Sequence, residues 1–223
     1  RQIEEAALRE LRKNFETFNL KDQVSKIKTI LSSYGNTARE DFLFHEFSGT
    51  QGYNKVNAAL AFLMTISNNF EYHPEDEAHF STWTVKDPFY FERAKETAEK
   101  LIQNFKKQNS VISESELVPF FNKASQENIT DRKIILSYLN LSKLIGKNSF
   151  DQWGLTHWPE IRPKGIKDKA YLVLKMATKP IHFREIATLI NGHRFDSKKA
   201  NFQTVHNELI KDKRFVLVGR GLY

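Results

Sequence analysis

Apolar residues recur at helical spacing along most of the chain, and short β-type runs interrupt them at a few places. The clearest series lies between Lys167 and Tyr223. Ala170, Val173, Leu174 and Ala177 repeat at i, i+3, i+4 and i+7, and Phe183, Ile186, Ala187 and Ile190 do the same, so each predicts a helix with one buried stripe. A third segment sets Phe202, Val205 and Leu209 on one face, with Lys199, Gln203, Thr204, Asn207 and Lys211 on or beside the other. That spacing predicts a helix with a core side and a hydrogen-bonding side. Phe215–Val218 is then a β-branched and aromatic run, and Gly219-Arg220-Gly221 turns it back into Leu222-Tyr223 as a short hairpin. Three helices followed by a hairpin outline a winged helix.

The pattern recurs upstream. A helix carrying Val24, Ile27, Ile30 and Leu31 precedes Thr37-Ala38-Arg39-Glu40, and one carrying Ala98, Leu101, Ile102 and Phe105 precedes Ser113-Glu114-Ser115-Glu116. Both tetrapeptides have the form of a capping box, in which a hydroxyl accepts an orphan helix N–H and the glutamate reaches back to the cap residue. His182-Phe183-Arg184-Glu185 holds the corresponding place in the last series. Each series ends in a strand with an aromatic, Trp83, Trp153 or Tyr223, at successive intervals of 70 residues. The expected fold is mainly α with small β-hairpins, an α+β chain of tandem winged-helix modules. The segments are 1–19, a helix remnant with linker; 20–87, a winged-helix-like module; 88–158, a helical module of the same kind with little room for a hairpin; and 159–223. Two prolines and a glycine in Trp158–Gly165 predict an extended connection before the last module.

The modules differ in chemistry. The helix from Tyr53 to Asn69 is apolar nearly all round, and the candidate wing after it holds Glu71, Glu75, Asp76 and Glu77, which would repel phosphate. That module reads as packing or protein contact. In the second, Arg132, Lys133, Lys143 and Lys147 flank an apolar helix and leave both readings open. Of the net charge of +7, residues 152–223 hold 14 Lys+Arg against 6 Asp+Glu, and the remainder of the chain is nearly neutral. A local positive field favours nucleic acid through counterion release, the alternative being a charge that serves solubility alone.

Lys179-Pro180-Ile181-His182-Phe183-Arg184-Glu185-Ile186-Ala187, then Thr204-Val205-His206-Asn207-Glu208-Leu209, then Arg214-Phe215-Val216 and Gly219-Arg220-Gly221, resemble the HARE-type winged helix-turn-helix. That family is similar to the amino-terminal domain of the bacterial RNA polymerase delta subunit. The resemblance covers about the last quarter of the chain and implies a role in transcription or DNA transactions. Arg1-Gln2-Ile3-Glu4, with Ala7-Leu8-Arg9 and Leu11-Arg12, is similar to the end of sigma-70 region 4, in which the Arg-Gln pair lies on the promoter-reading helix. It implies a DNA contact for Arg1 and Gln2. A chain that opens in mid-helix without Met reads as a fragment, the first half of that helix-turn-helix being absent.

Little else competes. There is no cysteine, and the seven histidines form no HExxH or other metal-ligand pattern, so no metal and no cofactor are expected. His73, His79, Glu75 and Glu77 read as a solvated acidic turn. No catalytic constellation, Walker loop or GxGxxG occurs, and no apolar run approaches the roughly 18 residues of a membrane span. The expectation is a non-enzymatic, cytoplasmic, nucleoid-associated transcription factor that binds double-stranded DNA and RNA polymerase. The base-reading candidates are Lys198, Lys199, Asn201, Gln203, Thr204, Asn207 and Lys211, with Lys213, Arg214 and Arg220 on phosphate. The alternative is a scaffold that docks on polymerase without reading sequence.

Overall fold

Helices make up most of the chain in the computed structural model, which describes residues 20–49, 53–193 and 195–223. The expectations for segment 1–19, including Arg1 and Gln2, lie outside the described residues. In chain order the elements are α1 (Leu20–Ser33), β1 (Thr37–Arg39), α2 (Glu40–Ser48), α3 (Tyr53–Ile66), β2 (Phe70–His73), β3 (Thr82–Val85) and α4 (Pro88–Gln108). A 3-10 turn (Glu114–Glu116) leads into α5 (Leu117–Ser125), followed by α6 (Arg132–Leu141), β4 (Ile145–Lys147), β5 (Trp153–Leu155), α7 (Ile166–Met176), α8 (Phe183–His193) and α9 (Phe202–Lys211). The fold is thus mainly helical, with small antiparallel sheets.

Contacts group the chain into two units, 1–99 with 128–142, and 100–127 with 143–223. The segment 88–158 is therefore divided between units: α4 passes from the first into the second, and α6 belongs with the first.

In the first unit Ile27 and Leu31 of α1, Leu43 of α2, Leu60 and Met64 of α3 and Trp83 of β3 form the core. Removing each of these large side chains from water contributes about 1.5–3 kcal/mol. The sheet runs β1-β3-β2, with Ala38 opposite Trp83 and Trp83 opposite Tyr72. Gly35 and Asn36, at φ 72° and 65°, reverse the chain between α1 and β1. A Cβ on Gly35 would lie 3.0 Å from Ile134 Cγ2, so the turn needs glycine both for its left-handed backbone and for the close approach of α6. Ser137 Oγ donates to the Thr37 carbonyl, and Lys133 Nζ meets Glu46 at 2.8 Å, fixing α6 on this unit.

The expected capping box at Thr37–Glu40 does not form. Thr37 starts β1 opposite Thr84, and Glu40 turns across the sheet, accepting from Trp83 Nε1 at 3.1 Å and Ser81 Oγ at 3.0 Å. At Ser113 the box does form: its backbone N–H donates to Glu116 at 2.7 Å. That bonding, the Ser113 hydroxyl first and its N–H next, holds the Glu116 carboxyl below its ordinary range.

In the second unit Ile112 exchanges backbone hydrogen bonds with Trp153 at 2.9 and 2.8 Å, and β5 pairs with β4 on its other side. Trp153 Nε1 donates to Glu114 at 3.1 Å, as Trp83 does to Glu40. In each case the carboxylate lies two residues beyond the one facing the tryptophan. Ile181 and Tyr223 make the corresponding exchange at 3.0 and 3.1 Å, and Leu222 bridges Gly219. Phe183 stands here where the glutamate stands in the other two, and the buried Tyr223 hydroxyl has no hydrogen-bond partner.

The connection Trp158–Gly165 is not extended. Trp158, Ile161 and Arg162 donate backward in successive turns, and Ile161 is buried. The reason lies in the hairpin beneath: a Cβ on Gly154 would sit 2.9 Å from the Trp158 ring, and one on Gly146 3.0 Å from Ile161 Cγ2. Two glycines let the connection fold back onto β4 and β5.

Candidate nucleic-acid interface

α9 exists because its sequence supplies a cap and a stripe. Asn201 Oδ1 accepts from Gln203 N–H at 2.8 Å, satisfying one of the helix's orphan donors. Val205 and Leu209, at 0% and 1% exposure, pack with Ile186 and Ile190 of α8 and Ala170 and Val173 of α7. What remains faces water: Gln203, Thr204, Asn207, Ile210 and Lys211 are all exposed.

The loop before α9 is fixed from two sides. Asn191 grips the Ala200 backbone, donating Nδ2 to its carbonyl at 3.0 Å and accepting its N–H at 2.7 Å. Lys169, only 3% exposed, reaches Asp196 at 2.6 Å, and Asp196 in turn accepts the Lys198 N–H at 3.0 Å. The Lys169 ammonium first, then the Lys198 N–H, hold the Asp196 carboxyl below its usual range. Lys198 and Lys199 therefore stand exposed on a positioned turn ahead of the helix. After the helix, Lys213 and Arg220 are exposed on either side of Phe215–Val218, which forms no regular strand and turns back only through the Gly219–Leu222 bridge.

The expected residues fare differently. Gln203, Thr204, Asn207 and Lys211 share the solvent face of α9, Lys211 with a loose 3.9 Å contact to Glu208. Asn201 is committed as the cap, so its oxygen serves the helix. Arg214 is exposed but neutralised by its own module: its guanidinium meets Asp212 at 2.7 Å and Asp168 at 3.2 Å and lies 4.8 Å from the Tyr171 ring centre. The Arg214 side-chain bonds draw the Asp212 carboxyl down to about 2. A guanidinium between two carboxylates has no positive field left for phosphate. Phe202, placed by its spacing among the core residues, is 40% exposed and covered instead by Arg184 at 5.1 Å. The helix's first turn is thus only partly covered by α8.

Two features carried no sequence signal as site residues. Ile210, 65% exposed, is an apolar group amid the polar face, and Lys169 positions the loop from within the core. A lysine one residue before the Ala170–Ala177 stripe reads as surface until Asp196 is seen beside it.

Elsewhere, the histidines singled out with Glu75 and Glu77 hold the first unit's hairpin. His73 stacks on Phe91 with ring centres 3.6 Å apart, and burial lowers its pKa. His79 Nδ1 lies 3.1 Å from Asp76. Among the described residues no group of three or more His, Asp or Glu side chains is placed to hold a metal ion, and no helix is long and apolar enough to cross a membrane. Compared with family models, with curated proteins and with solved structures, the chain finds no match.

Proposed function

We propose that this chain is a non-catalytic DNA-binding transcription regulator built of tandem winged-helix modules, with the basic C-terminal module as its reader of double-stranded DNA. The observation that carries the reading is the solvent face of α9, where Gln203, Thr204, Asn207 and Lys211 lie together between exposed lysines of the preceding loop and exposed cations of the hairpin. Side-chain amides on such a helix match adenine edges in the major groove, lysine matches guanine, and the flanking cations match phosphate. The winged-helix reading is supported by a recurring order of helix, short strand, two helices and hairpin, with the last strand between the other two. Association with bacterial-type RNA polymerase, in the cytoplasm and at the nucleoid, rests on the resemblances to HARE-type modules and sigma-70 region 4.

The test is binding of the full chain to a random duplex, with Lys199→Glu and Lys211→Glu as the perturbation. Affinity should fall together with its salt dependence, because each lost phosphate contact removes about 0.9 from the log–log slope. Unchanged affinity in the double variant would remove α9 from the interface and sink the proposal.

A further inference from the structure

α3 and α9 hold the same place in their units, the helix that precedes the hairpin, and they present opposite chemistry. Among the described side chains of α3, Ala58, Ala59, Phe62, Thr65 and Ile66 face solvent, with Phe62 at 66% and Ile66 at 58% exposure. These positions form one stripe at i, i+4 and i+7 to i+8, and none of them is charged. The hairpin after it is acidic. Tyr53–Val85 holds one lysine against four carboxylates, whereas Phe195–Tyr223 holds six Lys+Arg against three Asp+Glu.

The four carboxylates, Glu71, Glu75, Asp76 and Glu77, are all exposed. Asp76 accepts the N–H groups of Ala78 and His79 at 2.8 and 2.6 Å, which fixes the loop that carries Glu75 and Glu77. α3 packs against β2, the strand that bears Glu71 and the 45%-exposed Tyr72. An apolar helix face and an acidic hairpin thus adjoin on one unit.

That combination selects its occupant. Nucleic acid is repelled by the hairpin and finds, among the described side chains of the helix face, one donor, the Thr65 hydroxyl, already given to the Ala61 carbonyl. An anionic bilayer is repelled for the same reason. A second copy would bring two acidic hairpins together across an isologous contact. A helix with an apolar stripe and Lys or Arg beside it satisfies both halves, the stripe covering Phe62 and Ile66 and the cations meeting the carboxylates. We propose that the α3 face and the β2–β3 hairpin form a docking surface for a basic amphipathic helix of a partner protein.

The test uses the full chain and a synthetic amphipathic helix of leucine and lysine, about 18 residues or five turns long, beside a counterpart with every lysine replaced by glutamate. The lysine peptide should bind at least about tenfold more tightly than the glutamate peptide. Phe62→Asn with Ile66→Asn should abolish that binding and leave duplex affinity unchanged, which separates this surface from the DNA reading. Should that pair disturb folding, Glu71→Lys with Glu75→Lys keeps the test sharp, since two lysines against Asp76 and Glu77 should erase the preference between the peptides. Equal binding of both peptides, or none, overturns the proposal, as does binding indifferent to both pairs of substitutions. Competition by duplex DNA would assign the face to nucleic acid, and a dimer dissociated by Phe62→Asn would assign it to a second copy; either overturns it too.

Discussion

Substituting Arg214 with glutamine separates cations that face solvent from one that the module has already spent. Six cations flank or follow the recognition face, and Arg214 alone among them lies between two carboxylates, at 2.7 and 3.2 Å. The remaining five, Lys198, Lys199, Lys211, Lys213 and Arg220, are exposed, as is Arg214 itself, so its pairing and not burial sets it apart. If all five met phosphate, the slope of log affinity against log salt would approach about −4.5, at about −0.9 per contact. Between roughly 50 and 200 mM salt that slope amounts to a loss of about 500-fold. Lys213→Gln or Lys199→Gln should bring the slope about 0.9 nearer zero, leaving a loss of roughly 150-fold over the same range. Arg214→Gln should leave the slope at the parent value, its effect being confined to the packing of α7 against the hairpin. Fluorescence anisotropy of the full chain on a random duplex, across a salt series, reads all three. Were Arg214→Gln to flatten the slope as much as Lys213→Gln, the claim that its charge is consumed internally would be wrong.

Two further outcomes concern the first unit. Glu40→Ala leaves the buried Trp83 Nε1 without its acceptor, and should destabilise that unit by about 1–3 kcal/mol, with Glu40→Gln costing less because an acceptor oxygen remains; urea unfolding followed by tryptophan fluorescence measures both, and a parent-like midpoint for Glu40→Ala would refute it. The Asp76 carboxyl is held at about 2, by the His79 side chain first and then the N–H groups of Ala78 and His79, against a desolvation effect that raises it. Its folded pKa is depressed, so its contribution is present above the unfolded value near about 3.9 and is lost as pH falls toward about 2. Exchange of the Ala78 and His79 amides, corrected for intrinsic rates, should accelerate only in that window; acceleration beginning near neutrality would contradict the assignment.

The pattern of apolar positions is a good guide wherever one periodicity admits one structure. The stripes through Ile27 and Leu31, or through Val205 and Leu209, are buried because helical spacing leaves those side chains no other common face. It is a poor guide where one spacing serves two structures. Thr37 and Glu40 stand as far apart as the ends of a capping box, and only the pairing of Thr37 with Thr84 shows that the threonine is in a strand and the glutamate belongs to Trp83. Phe202 continues its stripe by arithmetic but lies in a first turn that α8 covers only in part, through Phe183 and Arg184, leaving it 40% exposed. The neutrality of Arg214 depends on Asp168, 46 residues upstream, and no local count of charge can find such a partner. The separation of α6 from the segment 100–127 has the same cause, since its position is decided by a glycine turn at Gly35 and a carbonyl at Thr37.

The carboxylate-to-indole bonds of Glu40 with Trp83 and Glu114 with Trp153 act as latches, each tying a final strand to the start of a helix across its sheet. The basic module has no such latch. Phe183 there donates its N–H to the Gly221 carbonyl and stacks on His206, and the buried Tyr223 hydroxyl has no hydrogen-bond partner among the described residues. The module's hairpin is tied from the other end, where Arg214 meets Asp168 of α7 at 3.2 Å. Of the three hairpins, the one that carries the exposed Lys213 and Arg220 is thus tied to a helix by an ion pair, which salt screens, where the other two are tied by a buried indole.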